Sequence, residues 1–149
     1  MIARLRRGDL EALGELYREL GNRAFAARTL GYLGFAALLR GDPAEAEAYF
    51  RQSLRDFSDL HESMGIAEDL EGLASVFAVT SRPQGAARLA AAAGAIREAI
   101  AAQPLPLDRD TFQAYMERAR AGLTVDAWSA AWQEGCNMTA DQAVALALE

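Results

Sequence analysis

Residues 26–46 read AARTLGYLGFAALLRGDPAEA and residues 66–86 read IAEDLEGLASVFAVTSRPQGA. Laid over each other at a shift of 40, Ala27 meets Ala67, Leu30 meets Leu70 and Leu33 meets Leu73. The same shift pairs Pro43 with Pro83 and Ala46 with Ala86, and just upstream Leu20 with Leu60. These matches follow a period. Ala26, Ala27, Leu30, Leu33, Gly34 and Ala37 trace one face of a helix with 3.6 residues per turn. Ile66, Ala67, Leu70, Leu73, Ala74 and Phe77 fall on the same offsets. Each stretch ends in a turn followed by proline, Gly41-Asp42-Pro43 and Ser81-Arg82-Pro83. Proline suits the first position of a helix, where its missing N–H costs nothing, so a second helix starts at each.

Working outward, the second helices carry stripes of their own. Ala46, Tyr49, Phe50, Ser53, Leu54 and Phe57 form one, and Ala86, Leu89, Ala90, Ala93, Ile96 and Ile100 the other. The unit is helix–turn–helix, repeated. Upstream, Leu10, Leu13, Tyr17 and Leu20 share a face and follow Gly8-Asp9, an echo of Gly41-Asp42, so residues 1–21 read as the second half of a further unit. An unpartnered face there implies self-association as a homodimer. Downstream, Gln103-Pro104-Leu105-Pro106-Leu107 interrupts the helices. Three shorter helices are expected after it. The first starts after Asp108 or Asp110, buries Phe112, Tyr115, Met116, Ala119 and Leu123, and stops near Gly122. The next starts at Thr124 and turns Val125, Trp128, Trp132 and Cys136 inward. The last opens on Thr139-Ala140-Asp141-Gln142, a capping box, and buries Ala143, Val144, Ala147 and Leu148.

These elements predict one all-α domain over 1–149: a solenoid of antiparallel helix hairpins with a C-terminal helical cap. The repeat units span about 22–60 and 62–102, after a partial unit 1–21 and before C-terminal helices in 108–149. The first helix of each unit is expected near 19 residues, about 28 Å long.

Composition narrows the chemistry. Of 149 residues, 33 are Ala, which favours helices and their close approach over a thick core. No apolar run reaches the roughly 20 residues a bilayer crossing needs. The single cysteine, Cys136, rules out an internal disulfide and points to a reducing, cytoplasmic setting. All 15 cations are Arg, so no lysine is present to act on phosphate, as a Schiff base or as a general base. A net charge of −6 argues against a grip on nucleic acid, and Arg4, Arg6 and Arg7 read as a solvated helix end.

Catalytic groups are scarce, and neither a catalytic residue, a metal site nor a cofactor is expected. His61 is the only histidine and falls at the junction between units, an exposed or capping position. Cys136 reads as a small core hydrophobe, although a helical hydrolase built on it or on a carboxylate is one reading to test. Glu68, Asp69 and Glu71 form an acidic cluster, with Glu68 and Glu71 read as facing away from the apolar stripe on a solvated or ligand-facing surface. Gly31 and Gly34 lie mid-helix, as close-packing sites and not a phosphate cradle. Trp128 and Trp132 are expected to close the open end of the core, or to line an effector pocket against the repeats.

Leu33-Gly34-x-x-Ala37 followed by Gly41, Ala46, Phe50 and Ser53 resembles the tetratricopeptide pattern, with a period of 40 where that family has about 34. Over residues 20–148 the order Gly41-Asp42…Ala46, Leu73-Ala74, Pro83-x-x-Ala86-Ala87-Arg88-Leu89, Arg97-Glu98, Pro104-Leu105-Pro106, Ala131-Trp132-x-Glu134-Gly135, Ala143-Val144 and Ala147-Leu148 is similar to the helical repeat region of bacterial LuxR-type regulators and related signalling ATPases. There an ATPase module precedes the repeats, and a DNA-binding helix-turn-helix often follows. The resemblance implies a non-enzymatic interaction or sensing module for transcription regulation. Its partner would be a protein or peptide segment, or another domain of a larger regulator. Tetratricopeptide arrays bind mainly through the first helices of successive units. By position this sets Arg28, Tyr32 and Phe35 beside Glu68, Glu71 and Ser75 on a concave surface. The alternative is a small-molecule effector held between the repeats and Trp128 and Trp132.

Overall fold

The computed structural model describes residues 6–19, 21–101 and 106–149. Arg4, Leu20 and the Gln103-Pro104-Leu105 interruption lie outside the described residues, as do the side chains of Tyr17, Pro106, Leu107 and Asp108. Among the described residues eight helices follow in order: α1 (Arg7–Glu19), α2 (Arg23–Leu39), α3 (Pro43–Asp59), α4 (Ser63–Val79), α5 (Pro83–Ala99), α6 (Pro106–Ala121), α7 (Val125–Cys136) and α8 (Ala140–Ala147). No strand occurs among the described residues. The architecture is all-α: antiparallel helix hairpins stacked in chain order, closed by a C-terminal helical cap.

The repeat is finer than the 40-residue unit. Helices α2 to α5 each have 17 residues, about 25 Å at 1.5 Å per residue, and their starts fall every 20 residues at 23, 43, 63 and 83. The turns explain the spacing. Gly21, Gly41, His61, Ser81 and Ala101 all sit in the left-handed region, at φ of 73°, 87°, 53°, 59° and 53°. That conformation reverses the chain after a helix and lets its last carbonyls accept backbone N–H groups: Asp42 N–H donates to Ala37 O and Glu62 N–H to Phe57 O. One residue later Asn22, Asp42 and Glu62 each accept a backbone N–H from the next helix's first turn. The helices therefore stop two residues short of the expected 19.

Packing follows the predicted stripes in the two units. Phe50, Leu54 and Phe57 of α3, Leu33 of α2, Leu70 and Leu73 of α4 and Leu89 of α5 are fully buried. Phe50 joins one unit to the next. A Cβ added at Gly34 would lie 2.8 Å from its ring and one added at Gly72 would lie 2.5 Å away, so only bare backbone on α2 and α4 admits it. Helix α4 is the hub, packed by α2, α3, α5, α6 and α8.

Four expectations are corrected. In α1, Leu10 and Gly14 turn inward while Leu13 is exposed, because Gly14 lies against Thr29 and brings the backbone close. Ile100 is exposed, since it caps α5 beyond the last helical residue. Helix α6 begins at Pro106, a residue type that suits a first helical position, and not after Asp108. The fourth concerns α7. Its inward face is Ala131 and Gly135, while Val125 is 70% exposed, Trp132 37% exposed, and Cys136 is exposed. At Gly135 an added Cβ would stand 2.2 Å from the Arg88 carbonyl, so α7 seats its small residues on α5 and leaves the large ones to the side.

Candidate functional site

The surface expected to bind a partner combines α2 and α4. On α2, Arg28 and Tyr32 are one turn apart and Tyr32 is exposed. Arg28 donates to Glu68 Oε2 at 2.8 Å, approaches Glu62 at 3.9 Å, and stands 5.6 Å over the Phe57 ring. Burial disfavours the Arg28 charge, but Glu68, Tyr32 and Glu62 outweigh it and raise the guanidinium pKa. Arg28, Tyr32 and Glu68 thus form one cluster.

The other three residues have different positions. Phe35 is partly buried, with its ring edge-on to Phe50 at 4.9 Å and 79°. Ser75 is 2% exposed and its hydroxyl donates to the Glu71 carbonyl, so it is not on the surface. Glu71 does not face solvent. Its side chain is only 12% exposed, clasped by Arg97 of α5 and reached by Arg109 of α6 at 3.5 Å. Burial raises the Glu71 pKa, against the pull of both arginines. The reason is α6: it lies on α4 and covers the part of the face where Glu71 stands. The acidic cluster therefore divides among three environments, because Asp69 is buried as well.

Beside Arg28 the surface dips into a pocket of about 140 Å³ lined by Ala24, Phe25, Arg28, Phe57 and Glu62. Phe25 is exposed at its rim. Sequence reasoning missed Phe25 and Glu62. Phe25 had a legible signal, an aromatic just off the apolar stripe. Glu62 had one too, since it occupies the cap position held by Asp42 twenty residues earlier. An aromatic floor and rim, a cation and two carboxylates can take an apolar side chain and orient the polar backbone around it.

In the cap, Trp128 and Trp132 stack at 5.9 Å and 27°, with Trp128 partly buried against the core. They flank the α5–α7 seam, which at Gly135 is closed to anything larger than hydrogen. Cys136, expected in the core, is exposed at the end of α7, and His61 is exposed in the α3–α4 turn. Among the described residues no group of three or more His, Cys, Asp or Glu is placed to hold a metal ion. None of their helices is long and apolar enough to cross a membrane. Comparison with protein-family models, with curated proteins and with solved structures gave no match to this chain.

Proposed function

We propose that this chain is a non-enzymatic, tetratricopeptide-like interaction or sensing module from a bacterial LuxR-type transcriptional regulator or related signalling ATPase, acting in the cytoplasm. Its partner is a protein or peptide segment, or another domain of the same regulator. The observation that carries the reading is the pairing of stacked hairpins with an open polar–aromatic cluster on their first helices. Arg28, Tyr32 and Glu68 stand next to a pocket that Phe25 and Phe57 line. Such a surface suits an extended or helical segment that places one apolar side chain in the pocket and its polar groups on Arg28 and Glu68.

Selection of peptides from a random library on the immobilised chain tests this. The selected peptides should bind Arg28→Ala or Tyr32→Ala at least about tenfold more weakly than the parent chain, as central contact residues do. Failure to enrich any peptide, or peptides that bind both variants as well as the parent, would reject the assignment.

A further inference from the structure

Asp69 points into the junction of α2, α3 and α4 and is 2% exposed. Its Oδ1 faces the bare backbone of Gly31, where an added Cβ would lie 3.3 Å from that oxygen and 3.7 Å from Ser53 Oγ. Asp69 Oδ1 and Ser53 Oγ thus converge on one glycine gap, where the two side chains are within interacting reach of each other. Ser53 is fully buried, and its hydroxyl donates to the Ala27 carbonyl at 2.8 Å. Oδ2 of Asp69 has no hydrogen-bond partner among the described residues.

A serine hydroxyl carries one proton. With that proton on Ala27 O, Ser53 has only lone pairs left for Asp69, so the proton between them comes from the carboxyl side. An ionised Asp69 would meet an acceptor there and sit buried without a donor. The charged groups around it offer little relief. From α2, Arg28 is engaged by Glu68. From α3, Asp56 adds negative charge and is itself held by Arg18 and Arg23. Glu68 on α4 is a further carboxylate, while Arg97 of α5 and Arg109 of α6 go to Glu71. Helix α8 brings Asp141, exposed in its first turn.

We infer that Asp69 is held as the neutral acid and donates its proton to Ser53 Oγ, completing an Asp69–Ser53–Ala27 relay that ties three helices together and makes their junction sensitive to pH. Burial is the main cause that holds the proton, keeping the carboxyl well above its usual range; the contact with Ser53 and the Arg28 charge oppose it, and Glu68 and Asp56 add to it. The sign follows. The folded chain keeps this proton to higher pH than the unfolded chain, so this site's share of stability falls as pH rises. The fall starts near the ordinary carboxyl pKa of about 4, reaches about tenfold in the folding constant per pH unit, and levels off above the folded value. Ionisation would put a charge beneath the Arg28–Glu68 pair and loosen the face it stands on.

Carbon-detected NMR of the Asp69 carboxyl in the whole chain is the test, beside denaturation of the parent and Asp69→Asn across pH. The carboxyl resonance should keep its acid-form position at neutral pH. Asp69→Asn, whose amide also donates to Ser53, should fold at least as tightly at neutral pH and lose the tenfold-per-unit decline. A carboxylate resonance at neutral pH, or an unchanged pH slope in the variant, would overturn the inference. If Asp69→Asn does not fold, the parent's resonance alone decides.

Discussion

Helices α2 to α5 and helices α6 to α8 bury their surfaces by opposite means. In the hairpins a large side chain enters a glycine gap: Phe50 of α3 lies between Gly34 of α2 and Gly72 of α4. In the cap, α7 lays Ala131 and Gly135 on the backbone of α5, and its tryptophans stack on each other beside the seam. The first arrangement depends on shape, and a phenylalanine set against a glycine recurs 20 residues apart, Phe57 at Gly65 and Phe77 at Gly85. The second depends on backbone proximity and occurs once. An apolar stripe drawn through the largest residues finds the buried face in the first region and misses it in the second.

The largest effect should come from removing the wedge. Phe50→Ala is expected to cost about 3–5 kcal/mol in chemical denaturation, as full truncation of a buried phenylalanine does. A cost below 1 kcal/mol would mean that the hairpins stack without it. Next comes Gly135→Ala, which sets a methyl against the Arg88 carbonyl. It should cost about 1–3 kcal/mol. Faster amide exchange should be confined to α7 and its contacts, sparing α3. Loss spread equally over α3 would show that the two regions are not separable. Smallest, and of opposite sign, is His61→Gly. The left-handed turn strains a side chain that glycine lacks, so this change should stabilise by about 1 kcal/mol. Destabilisation would mean that His61 makes a contact outweighing that strain.

The hairpins were legible because Leu33, Leu73, Pro43 and Pro83 keep both period and punctuation. Thr139 and Gln142 likewise form the capping box their spacing predicts. The 20-residue half-period was hidden. Only two of its five left-handed positions are glycine, and histidine, serine and alanine fill the others without any local signal. Alanine-rich faces hid the seat of α7, since Ala131 and Gly135 are indistinguishable in sequence from filler. Acids misled most. Glu68, Asp69 and Glu71 read as one acidic cluster, with Glu68 and Glu71 on a solvated or ligand-facing surface, yet what buries Asp69 and Glu71 lies elsewhere in the chain. Gly31 leaves room for Asp69, and Arg97 with Arg109 meets Glu71. The candidate site was legible in part for the same reason. Arg28 and Tyr32 follow from the face of their own helix, whereas Glu71 and Ser75 depend on α6 and on the depth at which α4 is packed.

Contacts of a single ring test the stacking of one hairpin on the next most directly. In solution, nuclear Overhauser effects from the Phe50 ring should reach the α-protons of both Gly34 and Gly72, placing the ring between first helices 38 residues apart in sequence. Effects to Gly34 alone, with none to Gly72, would leave two hairpins that do not stack and would contradict the account.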